Sequence, residues 1–174
     1  MKYQLIVAMC ETRGIGYKNN LPWNIPEDLK YFSKLTRGNN NNAVVMGKNT
    51  WYSLNRKPLP KRDNLVLSSS LVKKTDDNYE IFNNINSLNE YCESKQYDEV
   101  WIIGGMSVYK QFLQTNLLNK CYVTYIKKHF ICDTFFPKLS LEWKLSEVDI
   151  FNNIDNEQLL EYYTFEHLKR RLNY

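Results

Sequence analysis

Four short runs along the chain are almost wholly apolar: Gln4–Cys10 (QLIVAMC), Ala43–Gly47 (AVVMG), Asn64–Ser68 (NLVLS) and Glu99–Gly105 (EVWIIGG). None shows the in-and-out alternation of a half-solvated strand. Each is therefore expected to be buried on both faces, in a sheet with helices on either side. Between and after them, Glu27–Thr36, Lys48–Leu54, Ser87–Lys95 and Met106–Gln114 repeat their apolar residues at helical spacing. The last third changes character. Cys121–Lys128, Trp143–Phe151 and Gln158–Arg170 read as longer strands, with NNIDNE as a hairpin connection between the last two. Asn39–Asn42, a run of four asparagines after a glycine, reads as an exposed loop. The pattern predicts a single α/β domain over residues 1–174, with a mostly parallel core and an antiparallel C-terminal edge.

Composition narrows the function more than the fold. A chain of 174 residues with 43% hydrophobic and 14% aromatic residues is long and apolar enough to bury a core. Its net charge of +4 is spread among acids, without the dense basic stripe a duplex demands, although a small polyanion would suit it. Cys10, Cys92, Cys121 and Cys132 form no CxxC pair, and His129 and His167 stand apart from them. That spacing argues against a structural metal and against a disulfide framework; Cys10 and Cys121, in apolar runs, read as buried thiols. No signal sequence or membrane span is visible, so a reducing, cytoplasmic setting is expected.

Two features carry candidate chemistry. In LPWNIPEDL, Pro26 suits the first position of a helix, which puts Glu27 and Asp28 in its first turn. Acids there ordinarily just complement the helix dipole. Asp28, however, shares the i, i+4, i+7 stripe of Phe32 and Leu35, whereas Glu27 sides with Lys30 and Tyr31. A carboxylate on an inward stripe needs a hydrogen-bond partner, and partial burial raises its pKa toward the range of a proton mediator. The second feature is a set of strand ends. Gly104–Gly105 leads from a strand into a helix, as does Gly47-Lys48-Asn49-Thr50, and a third strand ends in Ser68-Ser69-Ser70. Each could be plain turn chemistry; together they fit an anionic dinucleotide across the C-terminal edge of a parallel sheet.

Taken in order, IGYKNNLPW, PEDLKYF, VVMGKNTWYSL, KPLPKRDNLVLSSS, WIIGGMSVY and DTFFP resemble the dihydrofolate reductases, from about Leu5 to the final FEHLKRR. The resemblance implies an eight-stranded, mostly parallel twisted sheet with an antiparallel C-terminal strand, flanked by helices. It implies NADPH as cofactor, and dihydrofolate or folate analogues as ligands. The implied partners include no nucleic acid and no membrane, and the implied state is a monomeric, monofunctional reductase.

The same resemblance implies roles residue by residue. Asp28 would hold the pterin amino group and ring N–H and promote protonation at N5, with Thr124 helping to hold it. Trp23 and Leu21 would belong to a mobile loop, Gly14–Asn24, closing over the nicotinamide. Ile6, Val7, Ala8, Leu29, Phe32 and Ile103 would line the pterin pocket. Leu59 would touch the benzoyl group and Arg62 would clamp the glutamate α-carboxylate. Ala8, Ile15, Gly16, Gly47, Lys48, Asn49, Thr50, Ser68, Ser69, Ile103, Gly104, Gly105, Met106, Ser107, Val108 and Tyr109 would meet the cofactor. Gly104–Gly105 would be the family's cis glycine pair.

Asn49, Ser69 and Ser107 are uncharged where many or some relatives carry a charge, so a preference for NADPH over NADH rests mainly on Lys48. A same-fold reductase of riboflavin synthesis would lack LPW followed by Asp28, and Arg62. A binding module without catalysis would need none of Asp28, Trp23 and Arg62.

Overall fold

The structure, a computed structural model, describes residues 1–72, 78–152 and 159–168. The chain runs β1 (Lys2–Cys10), β2 (Gly14–Gly16), α1 (Pro26–Arg37), β3 (Asn42–Gly47), α2 (Lys48–Ser53), β4 (Asp63–Leu67) and β5 (Glu80–Phe82). It continues with α3 (Ile85–Lys95), β6 (Glu99–Ile102), α4 (Met106–Leu113), β7 (Leu118–Ile126), β8 (Thr134–Phe135), β9 (Trp143–Asn152) and β10 (Leu159–His167). Eight strands form one sheet in the order β5-β4-β3-β6-β1-β7-β10-β9, and β2 pairs with β8 separately. Every pairing from β5 to β7 is parallel, while β10 runs antiparallel to both β7 and β9. The eight-stranded, mostly parallel sheet with an antiparallel C-terminal strand is thus as expected.

The apolar runs are buried on both faces because alternate residues feed two different cores. Leu5, Val7, Val45, Leu65, Val100, Ile102, Cys121 and Val123 face Leu88 and Cys92 of α3 and Val108, Tyr109 and Phe112 of α4. Ile6, Val44, Met46, Val66 and Trp101 face the other way, onto Trp51 of α2 and the half-buried Tyr31, Phe32 and Leu35 of α1. A fully buried Leu, Ile or Val contributes about 1.5–3 kcal/mol, so these two layers dominate the stability. A third, smaller cluster of Cys10, Trp23, Ile25, Ile126 and Leu160 closes the C-terminal ends of β1 and β7.

Three short strands, β2, β5 and β8, escape the periodicity reading because two or three residues carry no measurable pattern. β6 stops at Ile102 and does not reach Gly105; Gly104, at φ 114°, leaves the extended region there. The NNIDNE connection lies, beyond Asn152, outside the described residues. Among the described residues no helix is long and apolar enough to cross a membrane.

β6 lies between β1 and β3, so the chain crosses over it on its way from β1 through α1 to β3. The C-terminal ends of β1, β3 and β6 therefore open beside the starts of α2 and α4, the place where open α/β sheets bind ligands.

Candidate active site

α1 begins with Pro26 in its first turn, preceded by Ile25 in an extended conformation without a side-chain cap. The uncapped first turn leaves Asp28 free to reach across to the sheet. Its Oδ1 accepts a hydrogen bond from Thr124 Oγ1 at 2.7 Å. Thr124 is 1% exposed and stands in register beside Ala8 of β1 and Tyr162 of β10. Among the described residues no protein group bonds Asp28 Oδ2. Burial pushes the Asp28 carboxyl above the ordinary aspartate value, and the Thr124 bond offsets only part of that. Phenols near it respond in turn. Tyr31 and Tyr162, whose rings lie 4.3 Å apart, are each pushed up to about 12, chiefly by burial and in part by the Asp28 charge.

The α1 side of the sheet carries an apolar cluster. Ile6 is buried, and Phe32, Leu59 and Ile103 are partly buried around the same cluster. Ala8 packs toward the cluster of Trp23 and Phe130. Val7 belongs to the opposite core with Tyr109 and Phe136, because neighbours on a strand point to opposite faces. Its side chain is thus on the other side of the sheet from Ile6, and Leu29 is 50% exposed.

Arg62 is 8% exposed although it sits in the turn KPLPKRDN. Its Nη1 donates to Thr36 Oγ1 at 2.5 Å, its Nε donates to Pro60 O at 3.1 Å, and its guanidinium lies 5.9 Å from the Phe32 ring centroid. Burial, with Arg37 adding like-charge repulsion, lowers it to about 10, so it stays cationic at neutral pH. Asn64 holds the turn: its Oδ1 accepts from Leu59 N, and its Nδ2 donates to Leu59 O and Arg62 O, all at 2.9 Å. Thr36 and Asn64 were not legible as site residues, since their role is to position Leu59 and Arg62.

The glycine junctions converge. Gly104–Gly105 is a cis peptide, and Gly47 N donates to Gly104 O at 2.8 Å. A Cβ on Gly47 would meet Val108 at 3.1 Å, one on Gly104 would meet the Tyr109 ring and hydroxyl from 3.1 Å, and one on Gly105 would meet Thr50 Oγ1 at 3.4 Å. Tyr109 OH is anchored on Ile6 O at 2.8 Å. The glycines therefore let the two junctions pack against each other at the first turns of α2 and α4. Lys48 Nζ donates to Ser70 Oγ at 3.1 Å. Ser68 Oγ accepts from the backbone of Ser70 and Leu71, so that hydroxyl is already engaged in its own turn. Asn49, Ser69, Met106 and Ser107 are exposed beside these junctions.

Ile15 and Gly16 lie in β2, tied to β8; Asp133 N donates to Gly16 O at 3.0 Å and Lys18 N donates to Asp133 Oδ2 at 2.9 Å. In the loop after β2, Leu21 is 55% exposed, while Trp23 is buried edge-on to Phe130 with ring centroids 5.3 Å apart. Asn19 and Asn20 of this loop face Asn49, Tyr52 and Ser53 of α2 across a cleft of about 240 Å³.

Comparison with known proteins bears on these features. A sequence model described as "Dihydrofolate reductase" matches residues 2–170. The dihydrofolate reductase of Buchnera aphidicola subsp. Baizongia pistaciae is 38% identical, covering 98% of this chain and 99% of its own. That of Aedes albopictus is 33% identical, covering 92% and 94%, and that of Drosophila melanogaster is 36% identical, covering 80% and 81%.

Proposed function

Because the chain belongs to the dihydrofolate reductase family and reduces dihydrofolate to tetrahydrofolate, we propose that NADPH is its hydride donor and that Asp28 is its pterin-binding, proton-mediating group. The observation that carries this reading is the half-buried Asp28, bonded to Thr124 through one oxygen and open at the other beside an apolar wall. Two N–H donors on the rim of a planar ring match a carboxylate that can accept from both oxygens. Binding there removes water from a carboxyl whose pKa is already raised, which helps it promote protonation at N5 of the substrate.

Phe32, Ile6 and Ile103 pack the ring faces, and Leu59 contacts the benzoyl group. Arg62, already oriented by Thr36 and Pro60, presents its remaining N–H groups to the glutamate α-carboxylate. The glycine junctions fit a dinucleotide, since Gly47 and Gly104 let the starts of α2 and α4 pack close together, with a Cβ at either meeting Val108 or Tyr109 at 3.1 Å. When bound, NADPH supplies the hydride that is accepted at C6. Lys48 and Thr50 would hold its phosphates, and Tyr109, Val108, Met106 and Ser107 would edge the nicotinamide side. Gly16, Ile15, Leu21 and Trp23 belong to the loop that excludes water from above. The enzyme acts as a cytoplasmic monomer.

The test is direct. Mixed with NADPH and dihydrofolate, the protein should oxidise the nicotinamide, and the signal should collapse in Asp28→Asn while cofactor affinity persists. A folded wild-type protein without turnover, or an Asp28→Asn variant at full rate, refutes the reading.

A further inference from the structure

Cys10 ends β1 and Cys132 stands just before β8, 122 positions away, yet their Sγ atoms lie 3.9 Å apart. Cys92 and Cys121 are separately buried in the main core. Cys10 is fully buried, whereas Cys132 is partly exposed. Gly14 passes directly over the two sulfurs: a Cβ there would lie 2.3 Å from Cys132 Sγ and 3.0 Å from Cys10 Sγ. The segments they belong to are already stitched by weak bonds. Arg13 N donates to Cys10 O at 2.8 Å, Phe136 N to Arg13 O at 2.8 Å, Arg13 Nη1 to Phe136 O at 2.9 Å and Asp133 N to Gly16 O at 3.0 Å.

We propose that Cys10 and Cys132 are an oxidation site, closed to a disulfide by a low-molecular-weight disulfide, and that the bond pins the Gly14–Asn24 loop against β8 and slows turnover. The claim about turnover rests on the reading of that loop given above; the claim about the bond does not. Each sulfur has to move only about 1 Å to reach the S–S distance of about 2.0 Å.

The chemistry runs in two exchanges. Cys132, the accessible thiol, bonds one sulfur of oxidised glutathione; the other sulfur leaves and takes up the proton that Cys132 lost. Cys10 then attacks the Cys132 sulfur of the mixed disulfide, loses its own proton and releases a second glutathione thiol. The protein loses two electrons and two protons, and one glutathione disulfide becomes two thiols. Burial raises Cys132 to about 11, so the first exchange should quicken as pH rises. Burial acts most strongly against ionisation of Cys10, but hydrogen bonds from Thr12, whose Oγ1 is 3.6 Å away, from the Phe130 backbone and from Cys132 together outweigh it and hold that thiol below the ordinary cysteine value. The resolving thiol is thus the more acidic of the two.

The experiment incubates the full chain with excess oxidised glutathione at mildly alkaline pH. Thiol counting, intact mass and peptide mapping give the chemistry, and NADPH oxidation with dihydrofolate gives the rate. The expected product lacks two of the four thiols, carries no glutathione, joins Cys10 to Cys132, and turns over severalfold more slowly until dithiothreitol restores it. Cys132→Ser should prevent both the linkage and the slowing; Cys10→Ser should trap the mixed disulfide at Cys132. Absence of the Cys10–Cys132 linkage, a stable glutathione adduct on the wild-type protein, or a linked protein at unchanged rate overturns the proposal. A reduced protein without turnover would instead sink the functional reading and leave the mass result intact.

Discussion

The groove beneath the starts of the parallel strands and the candidate site treat their polar groups in opposite ways. At the N-terminal ends of β1, β3 and β6 lies a groove of about 720 Å³, larger than the cleft of about 240 Å³ beside the loop and α2. Asn42, Tyr97 and Glu99 of its lining are already partnered within the protein. Asn42 donates to Thr36 O and accepts from Glu99 N, both at 3.1 Å, Gln4 Nε2 donates to Glu99 at 3.0 Å, and Tyr97 OH donates to Asp63 at 2.5 Å. At the C-terminal end of β1, Asp28 accepts from Thr124 alone among the described residues; Arg62, just ahead of β4 and beside the last turn of α1, keeps donors beyond those used on Thr36 and Pro60. Unmet hydrogen-bonding capacity on half-buried groups costs folding free energy and serves only when a ligand completes it. The size of an opening therefore says less than whether its polar groups are already partnered.

Mutations in the two regions should separate activity from stability. The largest effect belongs to Asp28→Asn, expected to reduce hydride transfer at neutral pH by about 10²–10⁴-fold, with partial recovery as the pH falls, read by single-turnover rates. The same variant should melt higher than wild type at pH 7. Burial raises the Asp28 pKa in the folded state, so its contribution is most favourable below the ordinary carboxylate range and is lost as pH rises through the raised value. The gain in Tm should vanish near pH 3, and a lower Tm at pH 7 would break the comparison.

Arg62→Leu should raise the KM for dihydrofolate by about 10-fold or more, as loss of a charge-assisted pair does, while kcat changes little. It should also leave Thr36 without its donor and lower the Tm. Asn42→Ala, in the groove, should cost about 1–3 kcal/mol in denaturant melts by stranding Thr36 O and Glu99 N, with kcat unchanged. Thr124→Val should have the smallest effect. Without the bond that lowers Asp28, the pH profile of hydride transfer should move to higher pH, and an unmoved profile would show that Thr124 only fills space.

Long, strongly patterned segments were legible in advance. β1, β3, β4 and β6 and all four helices fall within a few residues of their expected bounds, because runs buried on both faces and amphipathic stripes are local properties. Asp28 stood out for the same reason: it interrupts the stripe of Phe32 and Leu35. Val7 shows the limit. The run LIVA names a buried strand but not which residues face the cleft, and Val7 packs with Tyr109 on the far side. Thr36 and Asn64 are ordinary polar residues in the sequence, and their importance comes from Arg62 and Leu59 arriving beside them.

By itself, the sequence determined that this is an α/β domain, where its helices start, that Asp28 is the acid to watch and which family the chain belongs to, since local periodicity and ordered motifs carry that much. Only the tertiary structure decided that Thr124 bonds Asp28 directly from 96 positions away, where the resemblance implied only that it helps hold it, that Arg62 is buried on Thr36, and that Cys10 faces Cys132. Those contacts depend on strand order and register. Both follow from how the whole chain buries its apolar surface, which no local run of residues encodes.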